Sequence, residues 1–196
     1  MILGAGGFAR EVTDLCYDLG WYVVGYAVDI PDQPKVLLGK AVRQLEDWNS
    51  DWPCVAAIVS PLRKRILDSA VRLGFTFASV VHPSASVSKM ARIHPGVIVN
   101  RNVTVGNEAV VRRHMILNRG CTIGHDCEIG IGVTVGPGAN LAGNVKVGEW
   151  ATIGMGANVR EGTRIGAGAF VGMGSVVVED VPGGETWWGV PARKIR

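Results

Sequence analysis

Written in sixes, the second half of the chain falls into one register. From Val81 to Val177 every sixth residue is Val, Ile or Leu, seventeen positions with no insertion between them. In eight of the seventeen the next residue is Gly, as at Gly106, Gly124, Gly130 and Gly136. Four places after the aliphatic residue the side chain is usually small or Val, as at Ala85, Val97, Ala109, Cys121, Cys127 and Ala139. Neither the helical period of 3.6 nor the strand period of 2 explains this spacing. A unit of one short strand and one turn does, and three units close a triangular coil of 18 residues with the aliphatic side chain pointing inward. Residues 81–182 then make between five and six coils, a prism about 27 Å long at the usual strand spacing. Cys121 and Cys127 fall at small inward positions, where a thiol serves as a compact apolar side chain.

The prism accounts for the unusual glycine content, 27 of 196 residues. Charged residues are 19% of the chain, and Lys+Arg minus Asp+Glu is 20 − 17 = +3 with no long basic or acidic block. That balance argues against a nucleic-acid or membrane-surface partner. No apolar run approaches the ~18 residues of a membrane span. Four widely placed Cys do not read as a disulfide framework. The chain opens on the strand-like Met1-Ile2-Leu3-Gly4, which leaves no place for a secretory signal, so a cytoplasmic protein is expected.

Residues 1–80 read as a small parallel α/β domain. The expected elements are a strand at Met1–Leu3, a helix at Phe8–Leu19 and a strand at Tyr22–Val28. A helix near Ala41–Trp48 follows, then strand Val55–Val59, helix Leu62–Leu73 and strand Phe75–Val80. Only four strands fit before the prism. The turn Gly4-Ala5-Gly6-Gly7-Phe8-Ala9 suits backbone N–H groups that meet a phosphate at a helix N-terminus. Asp29 closes the second strand about twenty residues later, where a carboxylate can reach a ribose hydroxyl. Half a dinucleotide fold suggests a mononucleotide or a nucleotide-linked sugar.

Several motifs run the length of the chain: Gly4-Ala5-Gly6-Gly7, Val81-His82-Pro83-Ser84-Ala85, Asn118 through His125-Asp126-Cys127, Pro137-Gly138-Ala139, Leu141-Ala142-Gly143, and Gly189-Val190-Pro191-Ala192-Arg193. With them the chain resembles the bacterial hexapeptide-repeat sugar acyltransferases that carry a small N-terminal Rossmann-like domain. That family includes N-acetyltransferases of nucleotide-linked amino sugars and sialic acid O-acetyltransferases. The resemblance implies a left-handed parallel β-helix over 81–182, a Rossmann-like sugar-nucleotide-binding domain over 1–80 and a C-terminal cap over 183–196. It also implies acetyl-CoA as acyl donor, no metal, and a homotrimer with CoA held between neighbouring prisms.

His125 occupies the third place of its hexapeptide, an outward corner, and an imidazole, titrating near about 6.5, can take a proton from an amine or hydroxyl at neutral pH. A neighbouring carboxylate holds such a ring and raises its basicity. The resemblance implies His125 as general base and Asp126 as its supporter. Gly143 lies 18 residues further on, one coil up the same corner, where its N–H can serve as oxyanion donor. The next corner along stacks Pro137, Met155 and Met173, an apolar column suited to the pantetheine arm of CoA, to a subunit contact, or to both. Asn118 lies a face away from His125, so its part in the reaction would be played for the neighbouring chain's His125. The sugar-nucleotide pocket is expected from Gly6, Gly7, Phe8, Asp29, Ile30 and Ser60.

This chain departs from the family pattern at several places. Phe8 stands where many relatives have His, Ile30 follows Asp29 where many have a second acidic residue, and the loop after the third strand reads Ser60-Pro61. Thr134 replaces a second His that often lies near the acyl-CoA. These changes leave open an O-acetyltransferase acting on sialic acid or another sugar hydroxyl, and a non-catalytic trimeric sugar-binding protein. A metal enzyme on the same prism is disfavoured, because His114 and His125 stand eleven residues apart on different corners and His82 and His94 precede Pro. Serine acetyltransferases share the prism but begin with helices. Trp187 and Trp188 are expected to cap the open end of the prism, with stacking on the CoA adenine as the other role open to them.

Overall fold

Two adjacent buried residues, Ile2 and Leu3, anchor the sheet of the first unit. The computed structural model describes residues 1–31, 33–59 and 62–196. They form two units, Met1–Val80 and Val81–Arg196.

In the first unit, strand β1 (Ile2–Leu3) pairs in parallel with β2 (Tyr26–Val28) on one side and β5 (Val55–Ala56) on the other. Beyond β2 lies β4 (Lys40–Gln44), parallel to it, and then β3 (Val36–Leu37), antiparallel to β4. The sheet order is therefore β3-β4-β2-β1-β5. Helix α1 (Gly7–Asp18) buries Ala9, Val12, Leu15 and Cys16, the helical spacing that makes one apolar stripe. Thr13 on the same stripe satisfies its hydroxyl on the Ala9 carbonyl and the Tyr26 phenol, each at 2.8 Å. Helix α2 (Arg63–Arg72) buries Ile66, Leu67 and Ala70 in the same way.

The expected helix near Ala41–Trp48 is instead strand β4 followed by a 3₁₀ turn at Leu45–Asp47. The apolar residues Ala41, Val42, Leu45 and Trp48 mimic a helical stripe, but the turn before them decides the outcome. Leu38 and Gly39 take φ of 47° and 72°, the two left-handed residues of a hairpin turn. That hairpin supplies β3 and β4, so the sheet has five strands rather than four. Three expected strands are shorter: Val55–Val59 is a strand only at Val55–Ala56. Tyr22–Val28 is extended only at Tyr26–Val28, and of Phe75–Val80 only an isolated bridge from Phe77 to Cys54 joins this sheet.

The second unit is a parallel β-solenoid built on the six-residue register. Each six contributes a two-residue strand, and strands 18 residues apart pair in parallel, as Thr104 with Thr122 and Thr122 with Asn140. Three faces result. The first stacks the strands at 80–81, 98–99, 116–117, 134–135, 152–153 and 170–171; the second those at 86–87 through 176–177; the third those at 92–93 through 164–165. The aliphatic rows and the small residues four places on fill one continuous core: Leu117, Ile129, Val135, Cys121 and Cys127 are fully buried. Burying each Val, Leu or Ile side chain contributes about 1.5–3 kcal/mol.

Glycine has two separate uses here. Every sixth residue from Gly96 to Gly174 has positive φ and turns the corner; besides glycines, Asn102, Glu108, His114, Asp126, Asn144 and Trp150 fill that place. Where glycine directly follows the aliphatic residue, it lets the next coil approach closely instead. A Cβ on Gly124 would lie 2.5 Å from the carbonyl carbon of Ala142.

At the C-terminal end the strand Thr186–Gly189 extends the first face beside 170–171, and Ala192–Lys194 returns antiparallel to it. Trp187 packs on the end of the core, the expected cap, while Trp188 lies against Gly172 and is 42% exposed.

Candidate active site and substrate pocket

On the solenoid, the corner between the second and third faces carries His125 and Asp126. Asp126 is the left-handed corner residue, with φ of 56°, and this turn sets its carboxylate beside the ring of the residue before it. His125 Nδ1 and Asp126 Oδ2 are 2.7 Å apart, with both side chains more than half exposed. A proton on Nδ1 shared with the carboxylate leaves Nε2 as the free acceptor. The coils below and above fix the backbone: Asp126 N–H donates to the Asn107 carbonyl at 2.9 Å and Asn144 N–H to the His125 carbonyl at 2.8 Å. Gly143 lies one coil up, directly against the ring. A Cβ there would come within 2.5 Å of both Cε1 and Nε2 of His125. The site thus brings together an oriented imidazole, its carboxylate partner and a backbone unit bare of side chain.

Asn118 begins the corner between the first and second faces, and the strand Thr122–Ile123 separates it from His125. It is 6% exposed. Its Oδ1 accepts from the Arg119 N–H at 2.8 Å and from Asn100 Nδ2 at 3.3 Å, a ladder between stacked corners. Its carbonyl oxygen is therefore committed, and the amide can act outward only as a donor. Pro137, Met155 and Met173 do stack, but not on the corner after His125. Gly138 N–H donates to the Arg119 carbonyl and Gly156 N–H to that of Pro137, which places the column above Asn118, on the corner before His125. The count of 18 back from Pro137 leads to Arg119. Met155 and Met173 are 53% and 55% exposed, an apolar column open to solvent.

The three outer rows differ. The outward strand row of the second face is uncharged, Ser86, Thr104, Thr122, Asn140, Asn158 and Val176, with Arg160 exposed beside it. The row is laced by bonds from Thr122 Oγ1 to Asn140 Oδ1 and from Asn140 Nδ2 to Asn158 Oδ1. The third face is charged, with Lys146 and Glu128 at 2.6 Å. On the first face Thr134 is 4% exposed, in a row with the buried Ile98 and Ile116. Its side chain offers no open surface to a cofactor within this chain, contrary to expectation. His82, as expected, is structural: its Nδ1 accepts from the Ser84 N–H at 3.1 Å, closing a turn. Among the described residues no three His, Cys, Asp or Glu side chains converge as a metal site would need.

In the first unit a pocket of about 370 Å³ opens at the C-terminal ends of β1, β2 and β5. The chain leaves β1 toward β2 on one side and reaches β5 on the other, so this crevice is the switch point where parallel α/β sheets take ligands. Gly4, at φ 107°, is held so close to Ile58 that a Cβ would lie 2.8 Å from its Cγ1. Gly6 and Gly7 have open space where a Cβ would stand, and α1 starts there without a side-chain cap or an acidic residue in its first turn. Gly6 and Gly7 line the pocket, so α1 begins at its wall, an arrangement suited to an anion. Phe8, Asp29 and Ile30 line the same pocket; Ser60 lies outside the described residues. Sequence reasoning missed Arg65. Its Nε donates to Asp29 Oδ2 at 2.7 Å, and Nη2 to the Asp29 carbonyl at 3.3 Å. The two residues are 36 apart in the chain, and no local pattern links them.

Residues 126–161 match the family model described as bacterial transferase hexapeptide (six repeats). A comparison with curated protein sequences found no match. Among solved structures, the acetyltransferase domain of PglB from Neisseria gonorrhoeae FA1090, in complex with acetyl coenzyme A, is 32% identical with a TM-score of 0.91. The match covers 99% of this chain and 97% of that one. PerB from Caulobacter crescentus, in complex with CoA and GDP-perosamine, is 34% identical with a TM-score of 0.92, over 100% and 96%. WeeI from Acinetobacter baumannii AYE is 27% identical with a TM-score of 0.91, over 99% and 98%.

Proposed function

Since the chain belongs to the hexapeptide-repeat sugar acetyltransferases, we propose that it transfers an acetyl group from acetyl-CoA to an amino group of a nucleotide-linked sugar. The observation that carries this reading is His125, held by Asp126 with its ring against Gly143. His125 Nε2 takes the proton from the acceptor amine as its nitrogen attacks the thioester carbonyl carbon. The Gly143 N–H donates to the oxyanion that develops there. The C–S bond then breaks, and the imidazolium returns its proton to the departing thiolate, so the ring ends neutral. Asp126 keeps the proton on Nδ1 throughout.

The N-terminal pocket takes the nucleotide part, its diphosphate on the Gly6–Gly7 turn and its ribose at Asp29. The working unit in this reading is a homotrimer in the cytoplasm, closed through the second face and its uncharged strand row. That face is bounded by the corner of Asn118 and the apolar column on one side and by the corner of His125 on the other. Packing such faces together brings one chain's Asn118 and Met155–Met173 column to the next chain's His125, with CoA between them.

The test is thiol release from acetyl-CoA across a panel of nucleotide-linked 4-amino sugars and sialic acid, with His125→Ala beside the native protein. Turnover of an amino sugar that vanishes in the variant is the expected result. Turnover only with sialic acid would reassign the acceptor to a hydroxyl, and turnover that survives His125→Ala would remove the base from this scheme.

A further inference from the structure

Among the described residues lining the N-terminal pocket, the polar side chains are Asp29, Gln33 and Arg65; the walls around them are apolar, from Phe8, Ile30 and Leu62. Arg65 sits in the first turn of α2 and holds Asp29 at two points, its carboxylate and its backbone carbonyl. The Asp29 side chain is 20% exposed, whereas that of Arg65 is 56% exposed. Oδ2 is thus engaged while Oδ1 is left as acceptor, and the guanidinium of this pocket-lining residue keeps N–H donors beyond the two it gives to Asp29.

We propose that Arg65 is a specificity-determining residue of this pocket, pairing with Asp29 to read the 2′,3′-diol of a ribonucleotide and so to reject 2′-deoxyribonucleotide-linked sugars. This rests on the nucleotide-sugar reading of the pocket and narrows it. A vicinal diol matches the pair group by group: one hydroxyl donates to Oδ1, and its neighbour accepts from the guanidinium. A lone carboxylate could satisfy a single hydroxyl equally well. With Oδ2 already accepting from Nε, Arg65 offers the second hydroxyl a charged donor beside the carboxylate. A deoxyribose forfeits that charge-assisted hydrogen bond and leaves the half-exposed guanidinium to water, a loss on the order of ten-fold in affinity. Among the described residues lining the pocket, Asp29 is the one carboxylate, and Ile30 beside it is apolar.

Binding of UDP, dUDP, GDP and dGDP to the whole protein, measured by calorimetry, tests this without acetyl transfer or any acceptor sugar. The native protein is expected to bind one ribonucleotide at least about ten-fold more tightly than its deoxy counterpart. Arg65→Ala should lower only the ribonucleotide's affinity and bring the ratio within about two-fold, at an unchanged melting temperature, as this exposed side chain allows. Arg65→Lys should restore the ratio only in part, since an ammonium cannot hold Asp29 at two points. Equal weakening of both nucleotides in Arg65→Ala would make Arg65 a phosphate contact and overturn the proposal. So would a native protein that binds both forms alike. Absence of all four nucleotides from the native protein would overturn the pocket reading as well, while thiol release would still report on acetyl transfer.

Discussion

His125 is exposed, yet its surroundings leave it little choice of orientation. Asp126 is held at the corner by a left-handed φ, and Gly143 gives the ring a flat bed that any side chain would occupy. Two outcomes follow at this scale. His125→Ala should reduce acetyl transfer by about 10²- to 10⁴-fold, the usual contribution of a general base, and Asp126→Asn by less, with the melting temperature of each held within a degree or so. Gly143→Ala should behave like a loss of the base rather than of the fold. The added methyl meets the end of an exposed side chain, which can swing aside at small cost in stability, but Nε2 then leaves its place. Steady-state rates beside thermal melts separate these effects. Were Gly143→Ala to retain full activity, the packed ring would have no part in the reaction.

The strands are two residues long, so no single one is stable alone; the element that matters is the 18-residue coil. Deleting residues 144–161 removes one whole coil and returns Met173 to the corner above Pro137. Deleting 144–149 removes one side only and rotates everything beyond it by one corner. Both variants should melt cooperatively, but CoA affinity, measured by calorimetry, should stay within about ten-fold for the first and be lost for the second if the apolar column holds the cofactor. This arithmetic was readable from the chain because each corner repeats the last. The β3–β4 hairpin was not. Its turn places Leu38 in the left-handed region, and a leucine there advertises no turn, while the residues after it carry a helix-like stripe.

At the level of the whole molecule, the proposed trimer makes a prediction that no single chain can meet. Asn118 and His125 stand on different corners of one coil, so each active site would draw on two chains. Asn118→Ala and His125→Ala proteins, each inactive, should regain about a quarter of native activity when unfolded and refolded together, the fraction of interfaces with both native residues in random assembly. Each variant refolded alone provides the baseline. No recovery in the mixture would mean that Asn118 serves only the ladder with Asn100.

The repeat, the inward rows, the corner position of His125 and the Gly-rich first turn were all determined by the sequence, because each is a local rule restated at fixed intervals. The tertiary structure decided what depends on residues far apart in the chain. It set the ring of His125 on Gly143, buried Thr134, and closed Arg65 onto Asp29. A period tells which side chains point outward; only the stacking of coils and the order of strands tell which of them meet.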